Sequence, residues 1–341
     1  MINTVFRLSA PRRFEIAFED IEIFGKNAVV RPTHLSICNA DMRYYLGTRD
    51  ARVLAEKLPM ALIHEGAGEV VFDPSGRFKA GARVVMIPNK PVEADEFIAE
   101  NYLRSSKFCG STMDGFLQEY VEIEPKRLVE LPENINMNVA AFTEIVSVSM
   151  HAISRFDEIA HKRRDVIGVW GDGNLGYITA LLLKKRFPKS KIYCFGTSAD
   201  KLSDFTFADD VFIVSAVPKD LQIDHAFECV GGNASPVAIE QIIGLIKPEG
   251  TISALGVSEY PVPINTRMIL EKGLRLFGSS RSGRADFVKT VEMYNSNPEI
   301  IDYLGNLINS VNPVRSIEDL KNAFEKDTHK IFGKTVMQWE I

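Results

Sequence analysis

Two rhythms of apolar residues divide the chain. The first part carries short β-branched or aromatic runs, "KNAVVRP" (26–32), "LIHEGAGEVV" (62–71), "GARVVMIP" (81–88) and "FLQEYVEI" (116–123), each bounded by Gly, Pro or Asp. That pattern predicts an irregular, mostly antiparallel β domain. From Asp165 onward short apolar strands alternate with helical patterns: "DVIGVW", "KIYCF", "DVFIV", "DHAFECV", "TISALG" and "LRLFGSS". Strands that alternate with helices predict a parallel sheet, and six of them make a complete doubly wound dinucleotide fold. Two helical stretches follow, "ADFVKTVEMYN" and "IEDLKNAFEKD", and the chain ends in a β-like "KTVMQWEI". A strand after those helices predicts a return to the first domain. The expected division is residues 1–147 with 289–341, and 148–288 between them.

The first strand of the second part runs straight into a glycine-rich turn, Gly171-Asp172-Gly173-Asn174-Leu175-Gly176. In G-x-G-x-x-G the first glycine permits the tight turn, the second lets a pyrophosphate approach the backbone, and the third lets helix and strand pack closely. The positive helix end then favours an anion. NAD sites place an acid at the end of the next strand to hold the ribose 2′-hydroxyl. Here Gly196, Thr197, Ser198 and Lys201 stand there. Small hydroxyl residues and a lysine suit a 2′-phosphate, so NADP is expected, with Asp200 the objection should the loop bring it to the ribose. Cys229, Gly256, Val257, Ser279 and Arg281, at the ends of later strands, complete the expected cofactor-binding set.

Composition narrows the partners. Of 341 residues 45% are hydrophobic and 25% charged, with a net charge of −5, which argues against nucleic acid or an anionic membrane as main partner. No apolar stretch approaches the roughly 20 residues that span a bilayer. The start, MINTVFRLSAPRR, lacks the apolar core of a signal peptide, and Cys38, Cys109, Cys194 and Cys229 are scattered. Both features predict a reduced, cytoplasmic protein.

One polar pair interrupts the apolar "LPMALIHEGAGEV". His64-Glu65 is not half of a protease helix, because the second histidine would have to stand at Gly68. With Cys38 before it and Glu144 after it, the pair supplies the thiolate, imidazole and carboxylate that a catalytic zinc takes. Singly these residues have plainer readings: Cys38 as a small buried hydrophobe, Glu144 as a carboxylate at a helix N-terminus. Gly66 and Gly68 are expected to keep side chains away from a crowded site.

The order Cys38-Asn-Ala-Asp41, His64-Glu65-Gly-Ala-Gly68-Glu-Val70, Asp114-Gly115-Phe116, Glu144 and then the glycine-rich turn resembles the zinc-dependent medium-chain dehydrogenase/reductase superfamily over essentially the whole chain. The resemblance implies a GroES-like, zinc-binding catalytic domain joined to a Rossmann domain. It also implies Cys38 and His64 as zinc ligands, with Glu65 and Glu144 completing or exchanging in the coordination sphere. Three departures stand out. Ala40 replaces a hydroxyl that often begins a proton relay, leaving His34, Tyr44 or water as substitutes. Ile63 replaces the glycine that usually precedes the histidine, read as a local packing change. Only Cys109 stands where many members carry four cysteines around a structural zinc, so one zinc per subunit is expected.

At finer grain "CNADMRYYLGTRD", "LPMALIHEGAGEV", "DHAFECVGG", "LGVSEY" and "LEKGLRLFGSSRSGR" resemble the bacterial ribulose-5-phosphate reductases. These imply zinc-dependent reduction of D-ribulose 5-phosphate by NADPH to D-ribitol 5-phosphate, for CDP-ribitol and teichoic acid. A homodimer, and association with a cytidylyltransferase, are expected with it. Arginine forks suit phosphate, so Arg43, Tyr44 and Arg284 are expected at the anionic end of the substrate. The competing readings are an NAD-dependent polyol dehydrogenase acting on an unphosphorylated sugar, and a non-catalytic NADP-binding regulator.

Overall fold

The computed structural model describes residues 1–23 and 25–341, which gather into two compact units: Met1–Ser147 with Ser282–Ile341, and Val148–Arg281. The second crossing thus falls at Arg281/Ser282, ahead of the 288/289 boundary expected from the sequence. The reason is local. The helix Arg284–Ser296 is fastened to the first unit, with the Arg284 N–H donating to Glu100 (2.6 Å) and the Tyr294 hydroxyl to Thr143 (3.4 Å).

In the first unit a seven-stranded sheet is built around Ala28–Ile37. That strand pairs antiparallel with Glu65–Phe72 on one side and with the returning strand Lys334–Trp339 on the other. Ser36 lies opposite both Glu65 and Val336, so the three strands bring Cys38, Glu65 and Lys334 to one end of the sheet. Val5, Tyr45, Phe116 and Phe324 are fully buried in the core beneath. A side chain of that size contributes about 1.5–3 kcal/mol on burial.

Gly66 and Gly68 serve this packing and not the metal-ligand pair. A Cβ on Gly68 would stand 2.3 Å from the Arg31 carbonyl, and one on Gly66 2.7 Å from Leu35. Ile63 is likewise more than a packing change. It is fully buried with φ +72, a left-handed conformation that glycine adopts freely and a β-branched residue does not.

The segment that holds Cys109 is clasped by charge. Arg127, 5% exposed, grips both oxygens of Glu100 at 2.7 and 2.9 Å, and the Ser106 hydroxyl donates to the Glu100 carbonyl (2.8 Å).

The second unit is a six-stranded parallel sheet. Its spatial order is Asp210–Ile213, Lys191–Gly196, Val166–Trp170, Ile223–Glu228, Ile246–Ala254 and Arg275–Gly278. That is the doubly wound order, with the crevice where the order reverses, beside Val166–Trp170. Trp170 stacks on Phe195 at 3.8 Å and its indole N–H donates to Gln241 (2.8 Å), which gives the crevice an aromatic floor. Among the described residues no helix is long and apolar enough to cross a membrane.

Candidate metal centre and nucleotide pocket

In the first unit, ligand atoms of Cys38, His64 and Glu65 lie within 4.8 Å of one another. Asp41 ties the loops that carry them. Its Oδ2 accepts the Cys38 N–H (3.0 Å), its Oδ1 accepts the Ile63 N–H (3.1 Å), and Oδ1 stands 3.5 Å from His64 Nδ1. One carboxylate therefore fixes the helix start after Cys38, the backbone before His64 and the imidazole itself. Such an outer carboxylate sets which ring nitrogen faces a metal. Behind Glu65, Lys334 is 2% exposed and stands 2.9 Å from Oε1 and 2.6 Å from Oε2.

The electrostatics fit a cation. Burial opposes charge on His64, yet Asp41 and Cys38 hold it well above its ordinary pKa. Lys334 is raised as well: burial pulls it down, and the charges of Glu65 and Cys38 outweigh that. Glu144, buried in the first turn of Thr143–Ile159, faces the same charges but is not one of the three that converge. Burial, countered by His64 and reinforced by Glu65, pushes its carboxyl up to about 7. A thiolate, an imidazole and a carboxylate in a buried, acid-rich pocket are the donors that zinc takes.

The relay candidates each have a neighbour of their own. His34 Nδ1 lies 3.1 Å from Thr33 Oγ1, and Tyr44, 3% exposed, lies under the Arg49 guanidinium at 4.7 Å. Arg43 is in the last turn of the helix Asn39–Tyr45 that Cys38 caps. Arg49 follows, and its buried Nε–H has no hydrogen-bond partner among the described residues. Arg284 donates from Nε to the Lys126 carbonyl (2.9 Å), within the Glu100 clasp.

In the second unit a cavity of about 630 Å³ opens over the glycine-rich turn, lined by Trp170, Asp172, Gly173, Gly196, Thr197 and Cys229 among others. Each glycine has its reason. Gly171 has φ +125, and a Cβ on Gly176 would lie 1.9 Å from the Gly171 carbonyl. A Cβ on Gly173 would meet nothing within 4 Å among the described residues, so its absence leaves open room over the turn. The helix Asn174–Arg186, with Leu175 in its first turn, starts there without a side-chain cap, which leaves the end suited to a pyrophosphate.

Glu228 joins two strand ends, its side chain accepting from the N–H groups of Val230 (3.0 Å), Gly231 (2.8 Å) and Gly256 (3.2 Å). Of the remaining expected residues, Val257 is exposed, Cys229 is buried with its sulfur 3.8 Å from Thr179, and the Ser279 hydroxyl accepts from Arg155 (3.3 Å). Arg281 holds a left-handed φ of +58 at the unit boundary. Asp41 carried a sequence signal, an acid three residues after the helix cap. Lys334 and Glu228 carried none, because their roles come from pairing across distant strands.

This fold, with a thiolate–imidazole–carboxylate centre in one unit and an open dinucleotide turn in the other, defines a class. Residues 25–133 match the alcohol dehydrogenase GroES-like domain and residues 196–296 the zinc-binding dehydrogenase family, and the chain belongs to the zinc-binding alcohol dehydrogenases. Within that class it is 57% identical to ribulose-5-phosphate reductase of Bacillus spizizenii over 341 residues, 100% of each chain. It is 52% identical to ribulose-5-phosphate reductase 1 of Staphylococcus aureus over 339 residues, 99% of each. The crystal structure of S. aureus TarJ in complex with NADPH matches with a TM-score of 0.91 at 48% identity, covering 100% of both chains.

Proposed function

We infer that the chain reduces D-ribulose 5-phosphate with NADPH to D-ribitol 5-phosphate. The carrying observation is identity of 57% over the full length to a ribulose-5-phosphate reductase. The zinc donor set and the open glycine turn stand beside it in support. When bound, NADPH supplies a hydride and zinc supplies a positive charge that polarises the ketone.

Cys38, His64 and Glu65 hold the ion, one per chain. Asp41 orients His64, and Lys334 keeps Glu65 placed. Gly173 and the start of the helix Asn174–Arg186 accept the pyrophosphate; Thr197, Ser198 and Lys201 face the adenosine ribose. Arg43 and Arg49, on and just after the helix that Cys38 caps, hold the substrate phosphate. Tyr44 supports Arg49 from beneath. Ala40 offers no hydroxyl, and on this reading water supplies the proton that completes the alcohol. A homodimer in the cytoplasm and a cytidylyltransferase that consumes the product for CDP-ribitol and teichoic acid belong to the same reading.

The test is NADPH oxidation with D-ribulose 5-phosphate, D-xylulose 5-phosphate or D-fructose, with and without chelator. Turnover is expected with D-ribulose 5-phosphate and lost on chelation. Cys38→Ser should lose zinc and turnover together while still binding 2′-phospho-ADP-ribose; turnover without metal would defeat the assignment.

A further inference from the structure

The acid missing from the end of the second sheet strand is missing from the sequence but not from the space. Asp172, the second residue of the glycine-rich turn, reaches across to the start of the next loop. Its Oδ2 accepts the Thr197 N–H (2.7 Å), the Thr197 hydroxyl (3.1 Å) and the Ser198 N–H (2.9 Å). Gly196 is shaped by this contact. A Cβ there would lie 2.6 Å from the Asp172 Cβ and 2.8 Å from its Oδ2. The glycine that stands where an NAD-type acid is usual is therefore the residue that lets a different acid in. Burial works against ionising Asp172, but the Ser198 and Thr197 donors, with Lys201 nearby, hold its carboxyl below the usual carboxylate range.

Thr197 and Ser198 are also the donors that a ribose 2′-phosphate would need at this corner of the fold. One carboxylate oxygen already takes three of their four donors, and the Ser198 hydroxyl, which accepts the Lys201 N–H (3.4 Å), is the one left over. A phosphomonoester brings about −1.5 to −2 charges to the same corner, so charge and donor count both oppose it. The second oxygen, Oδ1, suits a ribose hydroxyl as acceptor. Lys201 acts in the other direction and attracts either anion.

We propose that Asp172 sets the selectivity between phosphorylated and unphosphorylated dinucleotide, restraining 2′-phosphate binding by occupying the Thr197–Ser198 donors with its own carboxylate. The proposal rests on the NADPH reading and refines it. The chain takes the phosphorylated cofactor through Lys201 and the hydroxyl loop despite Asp172, and its preference is smaller than that loop alone would give.

Binding of two non-reacting fragments tests this without turnover. The as-purified enzyme is titrated with ADP-ribose and with 2′-phospho-ADP-ribose by calorimetry, for the unmodified chain and for Asp172→Asn. Asparagine keeps the shape and an acceptor for the loop but removes the charge. The affinity ratio should move toward the phosphorylated ligand by on the order of tenfold, the scale of one relieved unit charge at a partly exposed site. Asp172→Ser, which keeps only a small acceptor, should move the ratio the same way. An unchanged ratio in both variants, or movement toward ADP-ribose, overturns the proposal and leaves Asp172 a loop fastener. Should the unmodified chain show no preference for the phosphorylated fragment, the NADPH reading fails. The shift in Asp172→Asn would still decide this inference by itself.

Discussion

Lys334→Met isolates what the buried lysine does for the metal centre. The stem volume is nearly kept, but the charge facing Glu65 disappears, and Glu65 is 0% exposed. Breaking a buried ion pair from one side costs about 3–5 kcal/mol, because the remaining charge has no partner. That figure applies to the protein stripped of metal. With zinc in place the cation takes over part of the compensation of Glu65, and the loss should fall to about 1–2 kcal/mol. For a unit of this size each kcal/mol moves the midpoint by about 2–4 °C. The chelated variant should therefore melt about 6–20 °C below the chelated parent, and the zinc-loaded variant only a few degrees below its own parent. The thermodynamic cycle then demands that zinc bind the variant more tightly, by on the order of tenfold or more. Calorimetric melts with chelator and with zinc give the first quantity, and competition against a chromophoric chelator gives the second. Equal losses in both states would refute the coupling of Lys334 to the site, and weaker zinc binding in Lys334→Met would refute its sign.

Two further perturbations probe the scaffold. Ile63→Gly and Ile63→Ala both remove a buried side chain, but only glycine is at ease at φ +72. The glycine variant should be the more stable by about 1 kcal/mol, reversing the usual order; denaturant midpoints that place alanine above glycine would remove the strain argument. His225 is fully buried; its Nδ1 accepts the Thr251 N–H (3.1 Å), so Nε2, 3.0 Å from the Arg163 carbonyl, carries the proton and the ring is neutral. Burial and neighbouring His161 lower its pKa from 6.5 to about 4. The unfolded chain then takes the proton first as pH falls. Stability should drop through the window from about 6.5 to about 4, by on the order of 3 kcal/mol, and stay reduced below it. His225→Asn should flatten that slope in urea melts, and identical slopes would exclude His225 as its source.

The nucleotide unit was largely legible in the sequence, because its strands are continuous apolar runs and its turn is a local motif. "DVIGVW", "KIYCF" and "DVFIV" fall on Val166–Trp170, Lys191–Gly196 and Asp210–Ile213. The converging ligands were less so. Cys38, His64 and Glu65 meet through the pairing of Ser36 with Glu65 and the Asp41 tie between their loops, and no local pattern encodes that register. Lys334 needs a further strand pairing from the far end of the chain. Ile63 shows the opposite limit: its side chain suggested packing, while its backbone keeps the conformation of the glycine it replaces. Asp172 was visible as a residue of the turn, but the direction of its carboxylate was not.

The Glu100–Arg127 clasp has a bearing on how the protein would fail. Where a lobe hangs on metal, chelation or oxidation of its thiols unravels it. Here two carboxylate oxygens on a buried guanidinium hold the segment, and Cys109 is 8% exposed. Such a fastening yields to acid, which neutralises Glu100, and to removal of either partner. On the reading that the ion sits at Cys38, His64 and Glu65, chelation would leave this carboxylate–guanidinium fastening in place.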